Sequence, residues 1–217
     1  MHLDPQHVEA YFIKADPNLR TSCEIIGDVI WAKASTNMNP GMMNKTLLAM
    51  EHFVPRLKKY DYVIRTNLSS FYVFPRLFTF LKTLPKSGCY CAYVNENLPT
   101  FDLGGKKKIL LSYGSGAGLI FSPDIVQLLV SEKKLLWNQD YQCEDVVIGA
   151  FLRKQKIAPI WAPRFDILTL EMWATHQFKI PQDAFHIRIK NPEPVNRLMD
   201  DIYIHRQVLK MFYNVSI

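Results

Sequence analysis

No stretch of this 217-residue chain stays apolar long enough to cross a bilayer. The longest mainly apolar run, Ala117 to Val130, is broken by Ser122, Pro123 and Asp124, well short of the roughly 20 residues a spanning helix needs. The opening MHLDPQHVEAYF has neither a basic leader nor an apolar run ending in small residues, so no signal peptide and no membrane insertion are expected, and a cytoplasmic chain or an excised domain follows. Cysteines are few. Cys23, Cys89, Cys91 and Cys143 show no CxxC spacing and no partnering histidine cluster, which argues against a zinc knuckle and a disulfide framework and for reduced thiols. Charge of one sign is also in short supply: 26 Lys and Arg against 20 Asp and Glu leave +6. That excess suits an anionic ligand and falls short of the concentrated basic face of a nucleic-acid binder, so no nucleic-acid partner is expected. Internal repeats and low-complexity linkers are absent. With 48% apolar and 21% charged residues, disorder and coiled-coil architectures fall away and one globular domain over 1–217 is expected.

Short runs rich in aromatic and β-branched residues at 10–15 (AYFIKA) and 28–34 (DVIWAKA) read as strands closed by polar loops. Met43, Leu47, Met50 and Val54 recur at helical spacing and predict an amphipathic helix over 41–54, with Lys45 off its stripe. Residues 60–66 (YDYVIRT) predict a strand. Phe74, Leu77, Phe78, Leu81 and Leu84 predict a helix ended by Pro85. Another strand is expected at 88–95, then a polar loop with Gly104, Gly105 and the run Lys106 to Lys108. SYGSGAGLIFS, 112–122, reads as a glycine-rich loop turning into a strand, and Ser122-Pro123-Asp124 opens a helix by N-cap and N1 chemistry. A further helix starts near Glu144. FHIRIK, 185–190, alternates as a strand, and Val195, Leu198, Ile202, Leu209 and Phe212 mark a last helical stripe.

Strands alternating with helices predict an α/β fold: a mixed, mostly parallel sheet of about six strands with helices on both faces. Ligands are then expected at the carboxyl ends of the strands. Those ends carry Lys14 and Asp16, the stretch Arg65 to Ser70, the loop Ser112 to Gly118, and His186, Arg188 and Lys190, which share one face of their strand. Each has a plain structural alternative. Asn67 and Ser69 can cap the following helix, the 186–190 face can be solvated, and Glu144-Asp145 can stabilise a helix N-terminus.

Taken in order, Met43-Asn44-Lys45-Thr46-Leu47, YDYVIRTNLSSF, YGSGAGLIFS and Glu144-Asp145-Val146-Val147-Ile148-Gly149 resemble the GT-A glycosyltransferases. The pattern is similar to the β1,3-galactosyltransferase-like group, which carries a lysine-bearing helix, KTDDDxF, YCSGGGYxxS and EDVxxG in the same order. Asn-Leu-Ser in place of the acidic triplet is similar to the branch of that group that builds chlorella virus capsid glycans. The resemblance covers about residues 10–160 and implies a single GT-A-like domain. Its nucleotide-sugar-binding half would be about 1–110 and its acceptor and catalytic half about 111–217.

The resemblance further implies a UDP-sugar donor, a glycan or glycoprotein acceptor, and transfer of a hexose or 6-deoxyhexose, with glucose and L-rhamnose the first candidates. It makes Asp145 the general base of an inverting reaction. Lys14, Asp16, Lys45, Arg65, Asn67, Ser115, Gly116, Arg188 and Lys190 become donor contacts. It implies Mn²⁺, or Mg²⁺, held by Ser69 and His186. The family's Asp-x-Asp carboxylates are missing, because Asn67 and Ser69 stand in their places, so metal affinity without nucleotide is expected to be poor. Stereochemistry depends on where the acceptor sits, so a retaining transferase stays open, as does a non-catalytic nucleotide-sugar or glycan-binding module.

Overall fold

The computed structural model describes residues 7–137, 142–193 and 195–215. The chain begins with β1 (Phe12–Ala15), β2 (Cys23–Ile26) and β3 (Val29–Ala32), which form a small sheet in the order β1-β3-β2. β2 and β3 make a tight hairpin across Gly27-Asp28, and β1 joins β3 in parallel. α1 (Gly41–Phe53) follows, then β4 (Val63–Thr66), β5 (Ser70–Tyr72) and α2 (Phe74–Leu81). The expected stripe of α1 is real: Met43, Leu47 and Met50 are buried in the main core.

A long hairpin of β6 (Tyr90–Phe101) and β7 (Lys108–Phe121) forms the centre of the second sheet, ordered β4-β7-β6-β8, where β8 is Ile160–Trp161. Its two faces are covered differently. Tyr90, Ala92, Leu119 and Phe121 pack against α1, α3 (Pro123–Ser131), α4 (Lys133–Leu136) and α5 (Glu144–Lys154). Cys89, Cys91 and Ile120, one residue out of phase, pack with Leu77 of α2, Leu84 and Phe185. This is the two-residue period of a sheet buried on both sides. The third sheet, β5-β10-β9, joins β9 (Phe165–Ile167) and β10 (His186–Ile189) to β5. Ile167, Ile187 and Ile189 form its core with Trp173 of α6 (Leu170–His176) and Ile204 and Val208 of α7 (Arg197–Tyr213).

The α/β class and the helices on both faces of the central sheet are present, but the single mostly parallel sheet of about six strands is replaced by three sheets of three or four strands. Among the described residues β1-β3, β6-β8 and β9-β10 pair in parallel and the other four pairings are antiparallel. The reason is local: β6 and β7 turn back on each other through Asp102 to Lys107, whose backbone is held by the Asp102 carboxylate accepting from Lys106 and Lys107 N–H. The two proposed halves therefore share one sheet across residue 110.

Two further expectations change. The glycine-rich segment 112–118 is not a loop but the middle of β7. The last helix turns its Ile204 and Val208 face inward against β10, while Val195, Leu198 and Ile202 are exposed. Spacing alone could not choose between two apolar faces of one helix.

Candidate functional site

The strand β7 carries an irregularity that organises everything around it. Between the pairs Ala92↔Leu119 and Val94↔Gly114, β6 advances two residues while β7 spends five. The extra residues form a bulge over 115–118, which frees their backbone groups from the ladder on that side. These groups are satisfied instead by side chains from distant segments. Gly116 N–H donates to Asp145 Oδ2 at 2.8 Å. Gly116 C=O accepts from the Arg65 guanidinium. Ala117 C=O accepts from the Thr66 hydroxyl at 2.8 Å and the Ser70 hydroxyl at 2.7 Å. Ser115 Oγ accepts from Arg164 Nη1 at 2.8 Å.

The glycines in this strand follow from that crowding. A Cβ on Gly116 would meet the Asp145 carboxylate at 3.1 Å, and one on Gly118 would meet Tyr72 Oη at 2.5 Å and His186 Cε1 at 2.8 Å. They are present because side chains pack onto the backbone there.

One flank of the bulge is a closed ion pair. Arg65, at the end of β4, donates from Nε to Glu144 Oε1 at 3.1 Å and from Nη2 to Glu144 Oε2, and Glu144 is buried. The Thr46 hydroxyl of α1 adds a hydrogen bond. Burial pushes the Glu144 carboxyl up and Arg65 pulls it back. Asp145 sits beside it in the first turn of α5, half-buried, and its Oδ1 also accepts from Val146 N–H at 3.0 Å.

The other flank holds the loop after β4 and the strand β10. Asn67 Oδ1 accepts from Ser69 N–H at 3.1 Å and Ser69 Oγ at 2.7 Å, and Ser70 Oγ lies 3.2 Å from it. His186 Nε2 is 3.0 Å from Ser70 Oγ, and its ring stacks on Tyr72 with centroids 4.8 Å apart. Ser70 has one hydroxyl proton, and its shortest bond is to Ala117 C=O, so His186 Nε2 carries the proton it donates to Ser70. Burial above all, with help from Arg164 and Arg188, lowers the His186 pKa to about 3, against the pull of Asp166, so the ring is neutral at pH 7.

Arg188 shares the His186 face. It lies opposite Ser70 in the register, and its Nη1 is 3.6 Å from Asp166 Oδ2. Its Nε is buried with no hydrogen-bond partner. Asp166 is taken chiefly by Arg164, which grips it from Nε at 2.6 Å and Nη2 at 2.9 Å and stacks over the Tyr93 ring at 4.0 Å.

Eight of the expected residues thus lie in or against one network: Arg65, Asn67, Ser69, Ser115, Gly116, Asp145, His186 and Arg188. Lys190 lies just past the end of β10, outside that network, and Lys45 lies beside Thr46 on α1, also outside it. Lys14 and Asp16 belong to the first sheet, where Lys14 lies over the Trp31 ring at 5.3 Å and Asp16 Oδ1 accepts from Asn18 N–H. Arg164, Asp166, Thr46 and Tyr72 were not anticipated. The alternation of Arg164 and Asp166 with Phe165 and Ile167 was a usable signal, hidden by a strand only three residues long.

No protein-family model matches this chain, and no curated protein matches it.

The residues expected to hold Mn²⁺ or Mg²⁺ do not by themselves form a divalent-cation site. Hard cations need several anionic or carbonyl oxygens. Here Asn67 Oδ1 already accepts two hydrogen bonds from Ser69, and His186 Nε2 faces Ser70. Asp166 and Glu144 are matched to guanidiniums. Among the described residues no group of three His, Cys, Asp or Glu is placed to hold a metal ion. The described helices include none long and apolar enough to cross a membrane. A groove of about 320 Å³ opens elsewhere, lined by residues that include Asn97, Ser112, Arg153 and Lys156. Its lining includes no carboxylate and no histidine.

Proposed function

We propose that this chain is a glycosyltransferase that moves a hexosyl or 6-deoxyhexosyl group from a UDP-sugar to a glycan hydroxyl. The observation that carries the reading is convergence: segments 65–70, 115–118, 144–145 and 186–188 meet at one bulged turn of β7, and they hold the residues for which the sequence resembles GT-A enzymes. Nothing in structural packing requires four such segments to share one polar cluster at a strand irregularity, a place where bulges commonly re-aim side chains for function.

In the proposed reaction the acceptor oxygen attacks the anomeric carbon as the bond from that carbon to the diphosphate breaks. UDP leaves with the electron pair, and the acceptor proton passes to Asp145. Gly116 N–H holds one carboxylate oxygen of Asp145 in place, and the carboxylate is half-buried rather than sealed. Arg188 and Lys190 carry the charge suited to the departing diphosphate. The resemblance to the capsid-glycan branch makes UDP-glucose and UDP-L-rhamnose the first donors to test. A non-catalytic nucleotide-sugar-binding module is the second reading. It is favoured by Glu144 and Asp145 both being tied into internal contacts. Acceptor-dependent release of UDP from a donor panel separates the two, because a binding module releases none.

A further inference from the structure

The proposed donor brings a diphosphate, and a diphosphate needs compensating positive charge from somewhere. The acidic pair that would hold a divalent ion is replaced by Asn67 and Ser69, and these two are hydrogen-bonded to each other. Beside them, on the same face as His186, stands a guanidinium whose bonding is incomplete: Arg188 Nε is buried without a partner, and its nearest carboxylate, at 3.6 Å, is already gripped twice by Arg164. One carboxylate shared by two guanidiniums leaves one positive charge uncompensated. Lys190 follows directly after β10. The lost cation and the surplus guanidinium lie at the same place, and an orphaned buried N–H is a standing demand for an acceptor.

We infer that this chain binds the diphosphate of its donor without a divalent ion, with Arg188 donating to the phosphate oxygens and Lys190 supplying the second charge. This rests on the glycosyltransferase reading and adds to it that these groups take the place of the divalent ion. A guanidinium is suited to the task because it offers several donors in one plane, where a metal ion would need oxygen ligands that this site has already committed.

The test is calorimetric titration of UDP into the full chain, once in EDTA and once in excess Mn²⁺, with uridine as a control lacking phosphate. The expected result is UDP affinity equal within about twofold in the two buffers. Arg188→Met should weaken UDP by about tenfold or more, the scale of a lost charge-assisted hydrogen bond, and leave uridine binding unchanged. Arg188→Lys, which keeps the charge, should retain part of the affinity, and thermal melting of both variants confirms that the fold is intact. UDP binding that disappears in EDTA and returns with Mn²⁺ overturns the inference and leaves the glycosyltransferase reading standing. UDP binding absent in both buffers overturns both.

Discussion

Arg65 and Arg188 flank the same bulge in opposite states. Arg65 is closed: its three nitrogens reach a buried carboxylate and the Gly116 carbonyl. Arg188 is open, with one buried N–H unpaired and a quarter of its side chain exposed. A guanidinium with all three nitrogens bonded is fixed in place and ties α5 to β4 and β7. One left short of acceptors is poised for a ligand. The difference separates what holds the bulge from what the bulge presents.

The largest effect should come from breaking the closed side. Glu144→Ala leaves the Arg65 charge buried and unpaired, which should cost about 3–5 kcal/mol in denaturant-induced unfolding, the scale for removing one partner of a buried pair. Arg188→Met, at a partly exposed pair, should cost less than about 1 kcal/mol. Similar costs for the two variants would erase the distinction.

Next in size is Gly118→Ala, which pushes a methyl group into Tyr72 and His186 and should destabilise by about 1–3 kcal/mol. Loss of stability by Gly118→Ala within error of zero would mean that the bulge yields freely and is not a rigid platform.

The smallest effect per step is pH-dependent and belongs to His186. Its folded pKa of about 3 lies below the ordinary histidine value near 6.5. The unfolded chain therefore takes up a proton first as pH falls. Stability from the neutral ring is complete above about pH 6.5 and is lost towards about pH 3, at roughly 1.4 kcal/mol per pH unit for one proton. Between pH 7 and pH 5 wild type should lose about 2 kcal/mol more than His186→Gln, read from unfolding curves at each pH. Parallel losses would show that the imidazole is not held neutral.

How much of this was legible in the sequence depends on the kind of signal. Helices α1, α2 and α3 announced themselves through apolar spacing or through Pro and Ser at their starts, because such signals act within one turn. The pairing of strands did not. A one-sided reading of Gly114, Gly116 and Gly118 makes a loop, whereas the structure needs those glycines inside a strand so that Ala92, Asp145, Tyr72 and His186 can press against it. Contacts from residues 22 to 68 positions away set that requirement, and no local window contains them. In α7, Leu198 and Ile204 are equally apolar, and only the position of β10 decides which is buried. At the site, the resemblance led to Arg65, Asn67, Asp145 and His186, which do meet. It also led to Lys14 and Asp16, whose strand lies in a separate sheet. Arg164 went unseen because its strand is too short to show a period.

The most direct measurement of the central claim, that the bulge of β7 is a glycosyl-transfer site, is acceptor-dependent UDP release by Asp145→Asn beside wild type. Asparagine keeps an oxygen to accept from Gly116 N–H, so the fold and UDP affinity should be retained while turnover falls by about 10²-fold or more, the usual scale for loss of a general base. Release by Asp145→Asn at the wild-type rate, or no acceptor-dependent release by wild type from any UDP-sugar tested, would contradict it.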